Sequence, residues 1–447
     1  MDKKLNFSAY AIIGTMLFGL FFGAGNLIFP LLLGQQAGEH VYFAIAGFLI
    51  SGIGLPFLGV LAVGYSNTKN LQELAGRVHP VYGVLFTVTL YLVIGPLFAL
   101  PRTGTVSYEI GVSSFVSKDY QQVGLVIYTI MYFVLTLYFA LNPAKVIVWI
   151  GKILTPLFLL FLGAIIVLAI MIPMGQPSIA TGKYIDTAFS SGFLEGYNTM
   201  DALASLAFGM LVVDAVKRFG VCTPKMIVST TAKAGLVGVL LMGILYVAFA
   251  YVGASSISTV GSQENGGLVL AKVVQHYFGS FGNIFLAILV FLACITTAIG
   301  LVSACASCFH HYVPKISYKV FAIIISTMAT FTANIGLTNI INFAIPILML
   351  IYPLTIALIV LTFLNPYFIR QQMVYVVTII CTVMISMIEA LKSVTMIFTS
   401  LQVPSFMGKL FSLYDHLPFA SMGLGWIVPM VLGLLLGWGS GYFRQTK

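Results

Sequence analysis

Apolar runs long enough to cross the roughly 30 Å hydrocarbon layer of a bilayer, which takes about 20 residues, recur along this whole chain. Twelve are read, at about 9–34, 41–64, 81–101, 122–141, 146–172, 193–215, 227–253, 281–309, 319–335, 339–364, 373–391 and 420–443. In lipid every backbone N–H and C=O must be satisfied within the protein, so such runs are helices. With 60% hydrophobic and 7% charged residues, the chain lacks the polar surface a water-soluble fold needs. The expected class is an all-α polytopic membrane protein of about twelve transmembrane helices.

The first run follows only "MDKKLNFS" and is too long, without a small-residue exit, for a cleaved signal. It reads as a retained anchor. Lysine and arginine collect in cytoplasmic loops. With Lys3 and Lys4 inside, so are Lys69, Arg77, Lys145, Lys152, Lys217, Arg218, Lys225, Lys233, Lys315, Lys319, Arg370, Arg444 and Lys447, fifteen of the 21 basic residues. Arg102, Lys118, Lys183, Lys272, Lys392 and Lys409 fall outside or at the outer boundary. The expectation is an even number of spans with both termini cytoplasmic. The net charge of +9 is spread over short loops on one face, which gives no reason to expect nucleic acid.

Cys222, Cys294, Cys305, Cys308 and Cys381 fall in spans or an inner loop, where no structural disulfide is expected. "CASCFHH", from Cys305 to His311, has CxxC spacing but no second ligand pair, so it reads as helix packing rather than a zinc site. The longest outer connections, about 173–192 and 392–419, read as irregular and too short for a catalytic domain. "GAGN" lacks the strand and third glycine of a phosphate loop, which argues against an ATP-driven pump or an organic cofactor. No enzyme is expected, because no cluster of His, Asp and Glu recurs on facing spans.

Function must then reside in the bundle. If spans one to five (1–172) and six to ten (193–364) form two units, each span and its partner five later cross in opposite directions, with 365–447 adding two helices. Paired interruptions at corresponding spans of such an inverted repeat point to a transporter's binding site. Span one is interrupted by Gly23, Gly25, Asn26 and Pro30 in "FFGAGNLIFP", and span six by Asn198, Thr199, Asp201, Ser205 and Gly209. Glycine and proline open the helical ladder, by about 1 and 3 kcal/mol relative to alanine. Freed backbone is tolerated only where protein or a watery cavity satisfies it. Half-helix amino termini suit an anion and exposed carbonyls a small cation. In span eight, Ala293, Thr296 and Thr297 share a helix face that offers oxygens to a hard cation.

The runs "FGLFFGAGNLIFPLLLGQQAG", "GPLFALPRTGTVSYEIG" and "NTMDALASLAFG" resemble the bacterial branched-chain amino acid carrier family, the cation symporters for leucine, isoleucine and valine. The similarity covers nearly the whole chain and implies a multi-pass protein of the bacterial plasma membrane. More distantly, the first run is similar to the first-helix motif of leucine-transporter (LeuT)-type sodium symporters, which implies a LeuT-like 5+5 inverted repeat with broken helices 1 and 6. The resemblance implies that backbone N–H groups around Gly23, Ala24 and Gly25 receive the substrate carboxylate. It also implies that Gly19, Phe22, Ala293, Thr296 and Thr297 surround one sodium. Asn26 and Ser205 match ligands of a second sodium touching the substrate, but the further ligand, an asparagine in span seven, is missing here. One sodium is therefore expected, with Asn26 holding the broken helix open. Leu206 and Phe208 are read as walls of an apolar pocket, which separates leucine from valine by only roughly 1–3 kcal/mol.

Asp201, Asp214, Glu389 and Arg102 are functional candidates because intramembrane charge is costly in lipid. Asp214 reads as interfacial beside Lys217 and Arg218, and Arg102 as snorkelling to the outer headgroups. The sequence thus predicts a sodium-coupled importer of leucine, isoleucine and valine working by alternating access, with no obligate protein partner. The alternatives are proton coupling through Asp201 and, further off, a channel or sensor.

Overall fold

The computed structural model describes residues 5–68, 70–141, 155–221, 223–397 and 404–442. Lys3, Lys4, Lys69, Lys145, Lys152, Cys222, Arg444 and Lys447 lie outside the described residues, as do 146–154 of the fifth apolar run. Every regular element among the described residues is helical. α1 (Phe7–Phe21) opens on Asn6, whose side chain accepts the Ala9 N–H at 3.0 Å, and gives way to α2 (Ala24–Ala37). After a 3-10 turn, α3 (Val41–Leu49) continues through a π turn at Ile50–Gly54 into α4 (Leu55–Ser66). The short α5 (Leu71–Gly76) leads to α6 (Pro80–Leu92), whose first position holds the proline that needs no N–H partner there. A second π turn, Val93–Leu97, joins α6 to α7 (Ala99–Gly111). α8 (Gln121–Ala140) and α9 (Thr155–Met171) complete the first half.

In the second half, α10 (Tyr184–Glu195) runs through a 3-10 turn, Gly196–Thr199, into α11 (Asp201–Arg218). α12 (Pro224–Val260) and α13 (Gly266–Tyr312, kinked at Gly279) are long, and α14 (Tyr318–Ala333) and α15 (Leu337–Leu364) follow. α16 (Gln371–Ile397), α17 (Ser405–Asp415) and α18 (Ile427–Tyr442) end the described chain. By length and apolarity, seven helical stretches among the described residues can cross a membrane, or eight if the bent α10–α11 pair is one span. Ala9–Gly19, Leu159–Met171, Tyr318–Ala333 and Ile427–Ser440 are apolar but shorter.

The packing differs from the sequence reading in three places. The third span does not stop at residue 101. Gly95 leaves helical geometry (φ −88°, ψ −123°) beside Pro96, yet the chain resumes as α7, so the helical stretch runs from Pro80 to Gly111 with Arg102 inside it. The outer connections are not irregular throughout, because α10 begins at Tyr184 and α17 occupies Ser405–Asp415. The interruption of span one covers two residues, Phe22 and Gly23, rather than Gly23 to Pro30. Pro30 sits inside α2, where its missing N–H leaves the Asn26 carbonyl without its helical donor.

α2 lies at the centre of the bundle, with Ala24 to Leu31 all buried. It packs along α12 and α13 and touches α7 and the Gly196–Thr199 turn, while α11 packs on α4 and α1 on α12. Both interruptions are thereby enclosed by protein, the condition that intramembrane irregular backbone requires.

A candidate substrate and ion site at two interrupted helices

Phe22 (φ −74°, ψ 92°) and Gly23 (φ −122°, ψ −161°) are extended, so the N–H groups at the start of α2 have no preceding turn to bond. Asn26 caps this end from within. Its Oδ1 accepts the Gly23 N–H at 3.0 Å, and its Nδ2 donates to Asp201 Oδ2 at 2.5 Å and to the Tyr246 hydroxyl. One amide thus ties α2 to α11 and α12. Tyr246 also stacks on Phe22 (6.4 Å) and meets the edge of Phe48 (5.3 Å).

Opposite lies the second interruption. α10 with its 3-10 turn and α11 meet at 46°, and the hinge is Met200, a buried non-glycine residue in the left-handed region (φ 62°, ψ 11°). Asp201 is 5% exposed and accepts from Asn26, while its own N–H donates to Thr199 Oγ1 at 3.3 Å. The carbonyls of Asn198 and Thr199 are taken by Arg102, at 2.5 Å from Nη1 and 3.2 Å from Nη2. Arg102 is 4% exposed, so the expected snorkelling is wrong: α7 carries it into the bundle, where carbonyls freed by the bend accept its protons. Its guanidinium also stands 5.0 Å from the centre of the Phe29 ring.

The third wall is α13. Thr296 and Thr297 both donate to the Ala293 carbonyl, at 2.7 and 3.4 Å, which gathers three oxygens on one face. Thr297 Oγ1 would lie 3.2 Å from a Cβ built on Gly23, so this face adjoins the span-one interruption. Phe22 is buried there, whereas Gly19, one turn earlier, is exposed with open space beside it.

Other predicted residues are placed differently. The Ser205 hydroxyl donates to the Ala202 carbonyl at 2.7 Å and packs on Gly59 of α4. Leu206 and Phe208 are buried on α11. Gly209 lies against Val63 of α4, a close helix contact beyond the bend. Asp214, Lys217 and Arg218 are exposed at the end of α11, and Glu389 is buried on α16 against Gly423. Cys305 donates to the Tyr91 carbonyl at 3.4 Å, and Cys294, Cys305, Cys308 and Cys381 are free. Sequence reasoning missed Tyr246 altogether. A tyrosine in the middle of the apolar seventh span was the available signal.

A sequence profile of the family described as branched-chain amino acid transport protein matches residues 7–440. The branched-chain amino acid permease BrnQ of Bacillus subtilis (strain 168) is 45% identical over 451 residues, covering 99% of both chains. The BrnQ permease of Escherichia coli (strain K12) is 37% identical over 448 residues, covering 100% of this chain and 99% of its own. The system 2 carrier protein of Pseudomonas aeruginosa is 37% identical over 430 residues, covering 95% of this chain and 94% of its own. Among solved structures, Mhp1, a nucleobase-cation-symport-1 family transporter, superimposes with a TM-score of 0.59 at 13% identity, covering 96% of this chain and 92% of its own. MhsT in complex with L-phenylalanine gives 0.57 at 16%, covering 98% and 100%. These two similarities concern the fold alone, which is that of LeuT-type transporters. The chain belongs to the branched-chain amino acid transport protein family, a family of membrane permeases and not of enzymes.

Proposed function

We propose that this protein imports leucine, isoleucine and valine across the plasma membrane by sodium symport, through alternating access around the two interrupted helices. The observation that carries the reading is the apposition of the Phe22–Gly23 interruption to the oxygen face of Ala293, Thr296 and Thr297. Carbonyl oxygens of Gly19 and Phe22 would complement that face for a hard cation. N–H groups at Ala24 and Gly25, with the positive end of the α2 dipole, suit a carboxylate. The names of the relatives supply the substrate class. Residues 1–172 and 193–364 act as two inverted units of a twelve-span transporter, residues 365–447 add the last two helices, and both termini are cytoplasmic.

Leucine uptake by the reconstituted protein is expected to require inward sodium, and Thr297→Ala to raise the sodium needed for half-maximal uptake about tenfold or more. An unchanged sodium requirement in that variant removes the ion assignment. Proton coupling is the second reading, favoured by the burial of Asp201 in the network joining α2, α11 and α12. Uptake indifferent to sodium, yet abolished by collapsing the proton gradient, selects it.

A further inference from the structure

Gly25 shows where the bundle keeps room for a charge. A Cβ built there would meet Arg102 Nη2 at 2.8 Å and Cζ at 3.2 Å, so the guanidinium lies directly on the first turn of α2. Two of its donors go to the carbonyls of Asn198 and Thr199. A guanidinium has more N–H groups than that, and the buried Nε has no partner. The ion pairs formed among the described residues are Lys183–Glu195 and Lys392–Asp415, so Arg102 has no carboxylate in contact. Asp201 is a neighbouring anion, but its carboxylate bonds Asn26 and makes no contact with the guanidinium, whose remaining donors it leaves unoccupied. A buried charge is costly unless paired. Beside it the amino terminus of α2 presents N–H groups and a positive dipole end. Two positive features therefore converge on Gly25 with no anion between them.

We propose that Arg102 is a substrate-binding residue whose guanidinium, with the N–H groups of Ala24 and Gly25, receives the α-carboxylate of the transported amino acid. This rests on the reading of the interruptions as an amino acid site. It explains why the chain places arginine in a helix at membrane depth, and why the residue facing it is glycine. A forked guanidinium fits a planar carboxylate better than a lysine ammonium does.

The test uses the full chain in liposomes, as wild type, Arg102→Gln and Arg102→Lys. Leucine uptake is measured with competition by 3-methylbutylamine, which keeps leucine's side chain and ammonium but lacks the carboxylate. Arg102→Gln is expected to raise the half-saturation concentration for leucine about tenfold or more and leave inhibition by the amine little changed. The preference for leucine over the amine then shrinks by the same factor, with Arg102→Lys in between. If the amine inhibits neither form, the rise in half-saturation at unchanged maximal rate is the supporting result. A variant that loses maximal rate and keeps its half-saturation and preference overturns the proposal, because the arginine then only shapes the bend. Should the glutamine variant fail to fold, the lysine variant decides by the same criterion. Wild-type protein that takes up no branched-chain amino acid defeats the underlying reading instead, a failure seen without any substitution.

Discussion

Asn26 commits both ends of its amide to partners on three segments: the Gly23 N–H, the Asp201 carboxylate and the Tyr246 hydroxyl. Asn26→Ala leaves a buried carboxylate and a helix-start N–H without that partner, a loss on the order of 1–3 kcal/mol. The expected outcome is a lower unfolding temperature in detergent together with strongly reduced leucine uptake, both readable on the purified protein. Asn26→Asp is expected to be worse, since it sets a second carboxylate against Asp201 in a buried site. The asparagine was conspicuous in the sequence because amides are unusual in an apolar run. Its partners were not legible, as they stand 175 and 220 residues further along the chain.

Helices approach each other here at small residues, and the α2–α12 seam shows why their positions are restrictive. A Cβ on Gly34 would lie 2.0 Å from the Ala250 carbonyl oxygen, and one on Gly253 would lie 2.1 Å from the Leu31 carbonyl oxygen. These obstacles are backbone, which cannot rotate away as a side chain can. Gly253→Ala must therefore push α12 off α2, and overpacking of this kind costs typically about 1–3 kcal/mol. A fall in thermal stability is expected, with a larger loss of transport, because α2 carries the start of the site. The same seam shows the ambiguity of glycine in a sequence: Gly34 serves helix contact, while Gly23 and Gly25 leave room for Thr297 and Arg102. Only the neighbours distinguish the two uses.

At the scale of the whole molecule, the proposed topology places Lys118 and Lys183 outside and Lys225 and Lys315 inside, all at exposed positions. Single cysteines substituted for these residues, in a background without native cysteines, should divide into two groups. Those at 118 and 183 are expected to react with an impermeant maleimide on intact cells, and those at 225 and 315 only after permeabilisation. Labelling of 225 or 315 on intact cells would overturn the orientation.

Membrane class and helical content were legible in the chain alone, because hydropathy and helix propensity are local and accumulate residue by residue. A glycine, an asparagine or an aspartate in a lipid-spanning run announces itself. Which partners those residues meet is a property of packing. Arg102 marked the end of an apolar run by hydropathy, yet the kinked helix continues past it and brings it to carbonyls on the Asn198–Thr199 turn, 96 and 97 residues away. Ser205, matched by resemblance to a partner of Asn26, instead packs on Gly59 of α4. Charge burial and hydrogen bonding are settled between segments distant in the chain, so only the assembled bundle decided that Arg102 belongs to the centre.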